Sequence, residues 1–243
     1  PEILARYVEN APITLELQQI YDSVGLNFTR SSNSLETSAF SVETTNIGTS
    51  RNDIIAGTSK DNLIIGLFGN DTIYDPDGSD TIDGGAGNDT IEDRGNGTNI
   101  LLGGDGDDNI KFSSLATNTI DGGSGNDTIQ AGVFSQSTSS TVTTMIGGVG
   151  NDTMFGGTGL DTYVINRGDG VDTIYAAYGN DKLVFGIGIS QSDLQFSRAS
   201  DSLDLLIKVT NPQNATATDQ ITMKNWFSSS SSQTTIVLAD GTT

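Results

Sequence analysis

Six aspartates stand at the same place in a short glycine-rich unit: Asp53, Asp71, Asp89, Asp108, Asp127 and Asp152. The clearest copy reads Gly84-Gly85-Ala86-Gly87-Asn88-Asp89-Thr90-Ile91-Glu92, and related stretches occupy 66–74, 103–111, 122–130, 147–155 and 156–164. The nine-residue unit has glycine at positions 1, 2 and 4, aspartate at 6 and an aliphatic residue at 8. Carboxylates repeated in this way beside glycine carbonyls form a set of hard oxygen donors. Calcium takes six to eight such oxygens at about 2.3–2.6 Å and tolerates irregular geometry, whereas magnesium demands a stricter octahedron and resists dehydration. Transition metals prefer imidazole or thiolate, and the chain has no histidine and no cysteine.

Such carboxylates need a frame that stacks one turn on the next. Position 8 reads Ile55, Ile64, Ile73, Ile82, Ile91, Leu101, Ile110, Ile120, Ile129, Met145, Met154, Tyr163, Ile174 and Leu183, mostly nine residues apart. The units at 93–102 and 112–121 carry ten residues, 131–146 holds a Ser/Thr-rich insertion, and 165–175 is also lengthened. Each unit divides into a six-residue turn and a three-residue strand. Glycine supplies the positive φ and close backbone approach of the turn, and the middle strand residue faces inward. Two units complete one coil of a right-handed parallel β-roll, an all-β fold in which position-8 side chains of two sheets meet. One apolar residue in nine is a thin core, and only 34% of the chain is hydrophobic.

In a roll, units n and n+2 stack at the sheet spacing of about 4.8 Å. Two unit charges ~5 Å apart at an effective dielectric of 20 repel by roughly 3 kcal/mol. A divalent cation between the turns reverses that sign. Units starting at 48, 66, 84, 103, 122 and 147 fall on one side and carry the six aspartates, with Asp172 continuing the row. On the other side Asn62, Asn99 and Asn118 replace aspartate, only Asp80 is regular, and order returns at Asp161 and Asp181. The expectation is a lopsided roll, with one nearly continuous calcium column and a sparse second one near the C-terminal end. Carbonyl-bearing glycines assigned to these sites are Gly69, Gly85, Gly87, Gly104, Gly106, Gly123, Gly125, Gly148, Gly150, Gly157 and Gly159. Asparagine and aspartate also serve as plain turn formers; six in register favour the metal on the first side, and the turn-forming reading is the better one for the degraded side.

The charge balance points the same way. With 31 acidic and 11 basic residues the formal net charge is −20, so self-repulsion opposes compaction until cations neutralise the acids. It also disfavours a nucleic-acid or anionic-membrane partner, and no stretch approaches transmembrane length. With an extracellular-type affinity of about 10⁻⁴ M, millimolar calcium contributes ~1.4 kcal/mol per site, roughly 8 kcal/mol over six. That is comparable to the whole stability of a domain, so folding and calcium binding are one equilibrium.

The array resembles the RTX haemolysin-type calcium-binding repeats of bacterial proteins exported unfolded by type I systems. The tail looks like the haemolysin-type calcium-binding-related module that often follows them: 181–189, Asp193-Leu194, Arg198, Asp204-Leu205, 219–222, Trp226-Phe227 and 239–242. Alternation predicts strands at 194–198, 205–209, 220–224 and 235–238, which should close the exposed end of the solenoid. The expected organisation is a non-repeat segment at 1–47, the roll at 48–184 and a β-rich closing module at 185–243. Within the first, 13–24 fits either a short amphipathic helix or an alternating strand, and 29–45 reads as a Ser/Thr/Asn-rich linker. A chain beginning at Pro1 is expected to be part of a larger protein. The resemblance implies a secreted or cell-surface calcium-binding module, with calcium ions as its partners. The alternative is a sheath, surface-layer or adhesin segment that self-associates.

Catalysis has little to stand on. Without histidine neither an HExxH zinc helix nor a Ser-His-Asp triad can form. Asp75-Pro76 resembles self-cleaving Asp-Pro bonds of some RTX proteins, but a degraded repeat turn explains it. Arg167-Gly168-Asp169 spells an integrin tripeptide inside a repeat turn, where Gly and Asp are expected anyway. Residues 75–80 begin like an EF-hand loop yet lack its Gly at position 6 and Glu at position 12. The turn positions 3 form no threonine row of the kind that ice-binding RTX adhesins present. Trp226-Phe227 is expected to pack in the closing module rather than to display a ligand platform.

Overall fold

The computed structural model describes residues 44–113, 117–132, 142–157, 159–175, 180–199, 203–210, 218–228 and 234–243. The readings made for 13–24 and for nearly all of 29–45 fall outside them, as does most of the 131–146 insertion.

The repeat region consists of β1 (Thr44–Ile47), β2 (Ile54–Ala56), β3 (Asn62–Ile65), β4 (Thr72–Asp75), β5 (Thr81–Ala86), β6 (Thr90–Asp93), β7 (Thr98–Asp105) and β8 (Asn109–Phe112), followed by β9 (Thr117–Ser124), β10 (Thr128–Ala131), β11 (Val142–Val149), β12 (Thr153–Phe155), β13 (Leu160–Ile165), β14 (Val171–Tyr175) and β15 (Lys182–Phe185). After a 3-10 turn at Gln191–Asp193 come β16 (Leu194–Arg198), β17 (Leu205–Thr210), β18 (Thr218–Met223) and β19 (Thr235–Val237). Odd-numbered strands up to β15, then β19, pair side by side in one sheet; even-numbered strands up to β14, then β18, β17 and β16, form the other. Successive units thus alternate between two parallel sheets, which is a parallel β-roll of about seven turns.

The period-2 pleat of each short strand turns one side chain inward. In the even sheet Ile55, Ile73, Ile91, Ile110, Ile129, Met154, Ile174 and Met223 stand opposite one another in single file. The odd sheet aligns Ile64, Ile82, Leu101, Ile120, Met145, Tyr163, Leu183 and Ile236. All fourteen aliphatic or aromatic residues assigned to position 8 are buried. Burying each such side chain contributes about 1.5–3 kcal/mol.

Two details depart from a uniform coil of six-residue turns and three-residue strands. Strands β7, β9 and β11 run for eight residues, because pairing continues through the glycines: Gly85 pairs Gly104, Gly104 pairs Gly123, and Gly123 pairs Gly148. Length variation is also unevenly placed. The turns 48–53, 66–71, 84–89, 103–108, 122–127 and 147–152 have equal length; the extra residues of 93–102, 112–121 and 131–146 precede odd strands, and those of 165–175 precede β14.

The four strands expected in the tail are present. β18 stacks parallel on β14 and β19 on β15, so each sheet gains a final rung, and β17 and β16 then add antiparallel to β18. Ile189, Leu205, Ile207, Val209, Ile221, Met223 and Leu238 join the core of the coil and close its end. Polar contacts pin this region. The Arg167 guanidinium donates to Thr210 O at 2.8 Å, Gly188 O at 2.7 Å and Asp193 Oδ2 at 3.1 Å, and Lys224 pairs with Asp204 at 2.8 Å.

Candidate metal centre

On the side entered from the odd strands, position 6 forms one ladder. The backbone N–H of each aspartate donates to Oδ1 of the aspartate one turn further on. The distances are 2.7 Å for Asp53 to Asp71, Asp71 to Asp89 and Asp89 to Asp108, then 2.8 Å for Asp108 to Asp127 and Asp127 to Asp152, and 3.0 Å for Asp152 to Asp172. Position 5 makes a second, exposed ladder in the opposite direction. The N–H of Asn70 donates to Asn52 Oδ1 (3.0 Å), Asn88 to Asn70 (3.0 Å), Asp107 to Asn88 (3.2 Å), Asn126 to Asp107 (2.7 Å) and Asn151 to Asn126 (3.0 Å). One side chain reaches forward and the next reaches back, so the Asn-Asp pair clamps each turn between both neighbours.

The second oxygen of the carboxylates carries the chemistry. Oδ2 of Asp71, Asp89, Asp108, Asp127 and Asp152 is buried without a hydrogen-bond partner, although a buried polar atom left unpaired is costly. Each lies against the position-1 glycine of its own turn: an added Cβ would come within 2.5 Å at Gly66, 2.6 Å at Gly84, 2.4 Å at Gly103 and Gly122, and 2.3 Å at Gly147. Position 1 is therefore glycine because the carboxylate occupies the space of a side chain. In turns 48–53 and 156–161 the position-2 N–H donates to the Oδ2 instead, Thr49 to Asp53 at 2.6 Å and Gly157 to Asp161 at 3.0 Å.

Burial is the main cause that pushes these groups up, to about 6 for Asp89, about 8 for Asp108 and about 7 for Asp127 and Asp172; neighbouring carboxylates add to it and backbone donors oppose it. Asp71 and Asp152 are raised for the same leading reason. Among the described residues no group of three or more acidic side chains is placed to hold a metal by itself. A cation between these turns would draw its remaining oxygens from the backbone. The carbonyls at positions 2 and 4 point along the stack: a Cβ on Gly104 would meet Gly85 O at 1.9 Å, and one on Gly106 would meet Gly87 O at 2.2 Å. Unpaired carboxylate oxygens and close-packed carbonyls, with no nitrogen or sulfur donor, fit a hard divalent ion.

The opposite side is built differently. Its position-6 residues Asn62, Asp80, Asn99, Asn118, Thr143, Asp161 and Asp181 are all buried. Asp161 N–H donates to Asp181 Oδ1 at 3.0 Å, and Asp181 Oδ2 is unpaired, so this pair repeats the first-side arrangement. Asp80 instead receives Asn62 N–H at 2.8 Å and donates its own N–H to Asn99 Oδ1 at 2.9 Å. The position-1 residues Asp75, Asp93, Phe112 and Ala131 stand in register. Asp75 and Asp93 are fully buried. Burial first, then Asp80, raises Asp75 to about 8, and Asp93 rises to about 6 for the same leading reason. These two inward carboxylates were missed by the repeat pattern. Strand parity would have found them, because positions 8 and 1 lie on the same face.

Six stretches of the chain, 47–74, 76–92, 93–111, 114–133, 143–164 and 168–191, match the family described as RTX calcium-binding nonapeptide repeat (4 copies). Together they span more than half of the chain. The protein belongs to the RTX calcium-binding nonapeptide repeat family. No curated protein matches it. Among solved structures it is similar to the crystal structure of extracellular lipase LipA from Serratia marcescens, with 19% identity and a TM-score of 0.39. That match covers 79% of this chain and 40% of the lipase chain. The RTX repeats make this roll a calcium-binding element.

Several short motifs resolve within the RTX roll. Asp169 of the Arg-Gly-Asp tripeptide is only 6% exposed, with Oδ2 accepting Asn166 N–H at 2.6 Å, so the tripeptide is structural. Trp226 packs on the core, while Phe227 is exposed beneath the Arg198 guanidinium. Among the described residues no helix is long and apolar enough to cross a membrane.

Proposed function

We propose that this RTX roll is the calcium-dependent folding module of a larger secreted or cell-surface protein, with its ions held mainly in one column. The observation carrying the proposal is the unbroken ladder from Asp53 to Asp172 with five buried, unpaired Oδ2 atoms. When bound, calcium supplies the positive charge and coordination that offset the repulsion of stacked carboxylates. Asp53, Asp71, Asp89, Asp108, Asp127, Asp152 and Asp172 would offer carboxylate oxygen at six successive intervals. Gly69, Gly85, Gly87, Gly104, Gly106, Gly123, Gly125, Gly148 and Gly150 would offer carbonyls. Asp161 with Asp181, beside Gly157 and Gly159, offers one interval on the other side, and Asp80 stands alone among asparagines.

A chain with net charge −20 and no cysteine suits export unfolded through low cytosolic calcium and ordering outside. Residues 48–184 would form the switch and 185–243 its closing module, and the role is binding and folding control rather than catalysis. Circular dichroism during a calcium titration, with size analysis, tests this. The expected result is a change from coil to monomeric β structure. A chain that stays β-rich in chelator contradicts it, and assembly on calcium addition points to the sheath or adhesin alternative.

A further inference from the structure

The interval between turns 57–62 and 75–80 has Asn62 where the first side has aspartate. Its amide makes a complete set of contacts. Nδ2 donates to Thr58 O at 3.3 Å, to Lys60 O, and to Asp80 Oδ1 at 3.2 Å. These are the position-2 and position-4 carbonyls of its own turn and the position-6 carboxylate of the next, which is the oxygen set a cation between the turns would draw on. Oδ1 of Asn62 accepts from the Thr58 N–H at 3.2 Å and the Thr58 hydroxyl at 3.1 Å. A reversed amide would place oxygen against three acceptors and nitrogen against a backbone donor, so its partners fix the orientation. Asn118 repeats part of the pattern, with Nδ2 donating to the position-2 carbonyl of Ser113 at 3.1 Å.

We infer that Asn62 carries its own substitute for the cation: its side-chain NH2 closes the interval between turns 57–62 and 75–80, which therefore takes no calcium. Replacing aspartate by asparagine exchanges one acceptor oxygen for a two-proton donor at the same place in the turn. The turn keeps its backbone course, and Oδ1 of the neighbouring Asp80 keeps its donors without a metal, while Oδ2 of Asp80 and of Asp75 in the same turn stays unpaired. On this basis the second side is held between Asn62 and Asn118 by amides, and the ion count follows paired position-6 aspartates rather than the number of repeats. The inference rests on the calcium reading above.

Equilibrium dialysis with radioactive calcium on the full chain separates the two. Asn62→Asp is expected to bind one ion more than the wild type, with circular dichroism reporting that it folds. Wild type that binds no calcium defeats the underlying reading. Wild type that binds calcium, beside a folded Asn62→Asp with the same count, overturns the inference alone. Should Asn62→Asp fail to fold, NMR of the calcium-loaded wild type decides: the Asn62 side-chain NH2 is expected to be protected from exchange, and exchange as fast as in an exposed asparagine overturns the inference.

Discussion

The two columns of turns share a backbone plan and differ in how they satisfy it. First-side turns from 48–53 to 147–152 hold constant length, the turn before β14 alone being longer, and stack Asp on Asp, leaving five carboxylate oxygens buried and unpaired. Second-side turns absorb most of the extra residues and meet part of their need from within, through the amides of Asn62, Asn99 and Asn118 or by filling space with Phe112, while Oδ2 of Asp75, Asp80 and Asp181 stays unpaired there too. Where an external ion is to fit, successive turns have to bring the same oxygens together, and the ladder keeps its register even at the longer turn before Asp172. Where the chain supplies its own donor or apolar bulk, each turn can be solved separately. The apolar ladder is common to both sheets, so the coil needs its core on both sides, and on the proposed reading its calcium chiefly on one.

The sharpest way to break this comparison is one substitution in each column. Asp108→Ala in saturating calcium should cost about 3–5 kcal/mol in denaturant unfolding, because it leaves charged partners uncompensated in a buried setting. Asn62→Ala should cost about 1–2 kcal/mol, the scale of lost neutral hydrogen bonds, and by the same amount with or without calcium. Equal calcium dependence of the two losses would erase the distinction.

The pH response sharpens it further. Burial raises Asp89 to about 6, Asp127 to about 7 and Asp108 to about 8 above an unfolded value near 3.8. The metal-free folded state thus binds more protons than the unfolded chain, so its stability is greatest below pH ~4 and declines as pH rises through about 6 to 8. In chelator, β structure measured by circular dichroism should be stronger at pH 5 than at pH 8, and calcium should abolish most of that difference. A metal-free chain better ordered at pH 8 would refute this assignment of buried acids.

The smallest effect concerns Leu67, which holds φ +82 where better-formed first-side turns use Gly85, Gly104, Gly123 and Gly148 at φ between +100 and +113. A left-handed backbone costs a non-glycine residue roughly 1–2 kcal/mol. Leu67→Gly should recover about 1 kcal/mol, less the entropy that glycine adds to the unfolded chain. A loss of stability on thermal unfolding would show that the Leu67 side chain contributes more than its backbone strain costs.

Much of this architecture was legible in the residues. The inward position 8 survives in every unit because it supplies the apolar row common to both sheets, to which Phe112, Ile165 and Phe185 add bulk on single strands. The closing strands were legible from alternation, although alternation alone does not say that β18 and β19 extend the two sheets as parallel rungs. Asp75 and Asp93 were obscured because the repeat pattern expects glycine there, so a buried carboxylate looks like a decayed turn. The opposed ladders of Asn and Asp were also hidden, since a motif records residue types and not the direction in which a side chain reaches. The asparagines on the second side looked like losses, and only the amide contacts reveal what they replace.

Anomalous scattering from calcium-grown crystals of the wild-type chain tests the central asymmetry most directly. The account predicts a row of peaks between successive first-side turns along Asp71, Asp89, Asp108, Asp127, Asp152 and Asp172, with none between turns 57–62 and 75–80. Two rows of equal length and occupancy, or a first side without peaks, would contradict it.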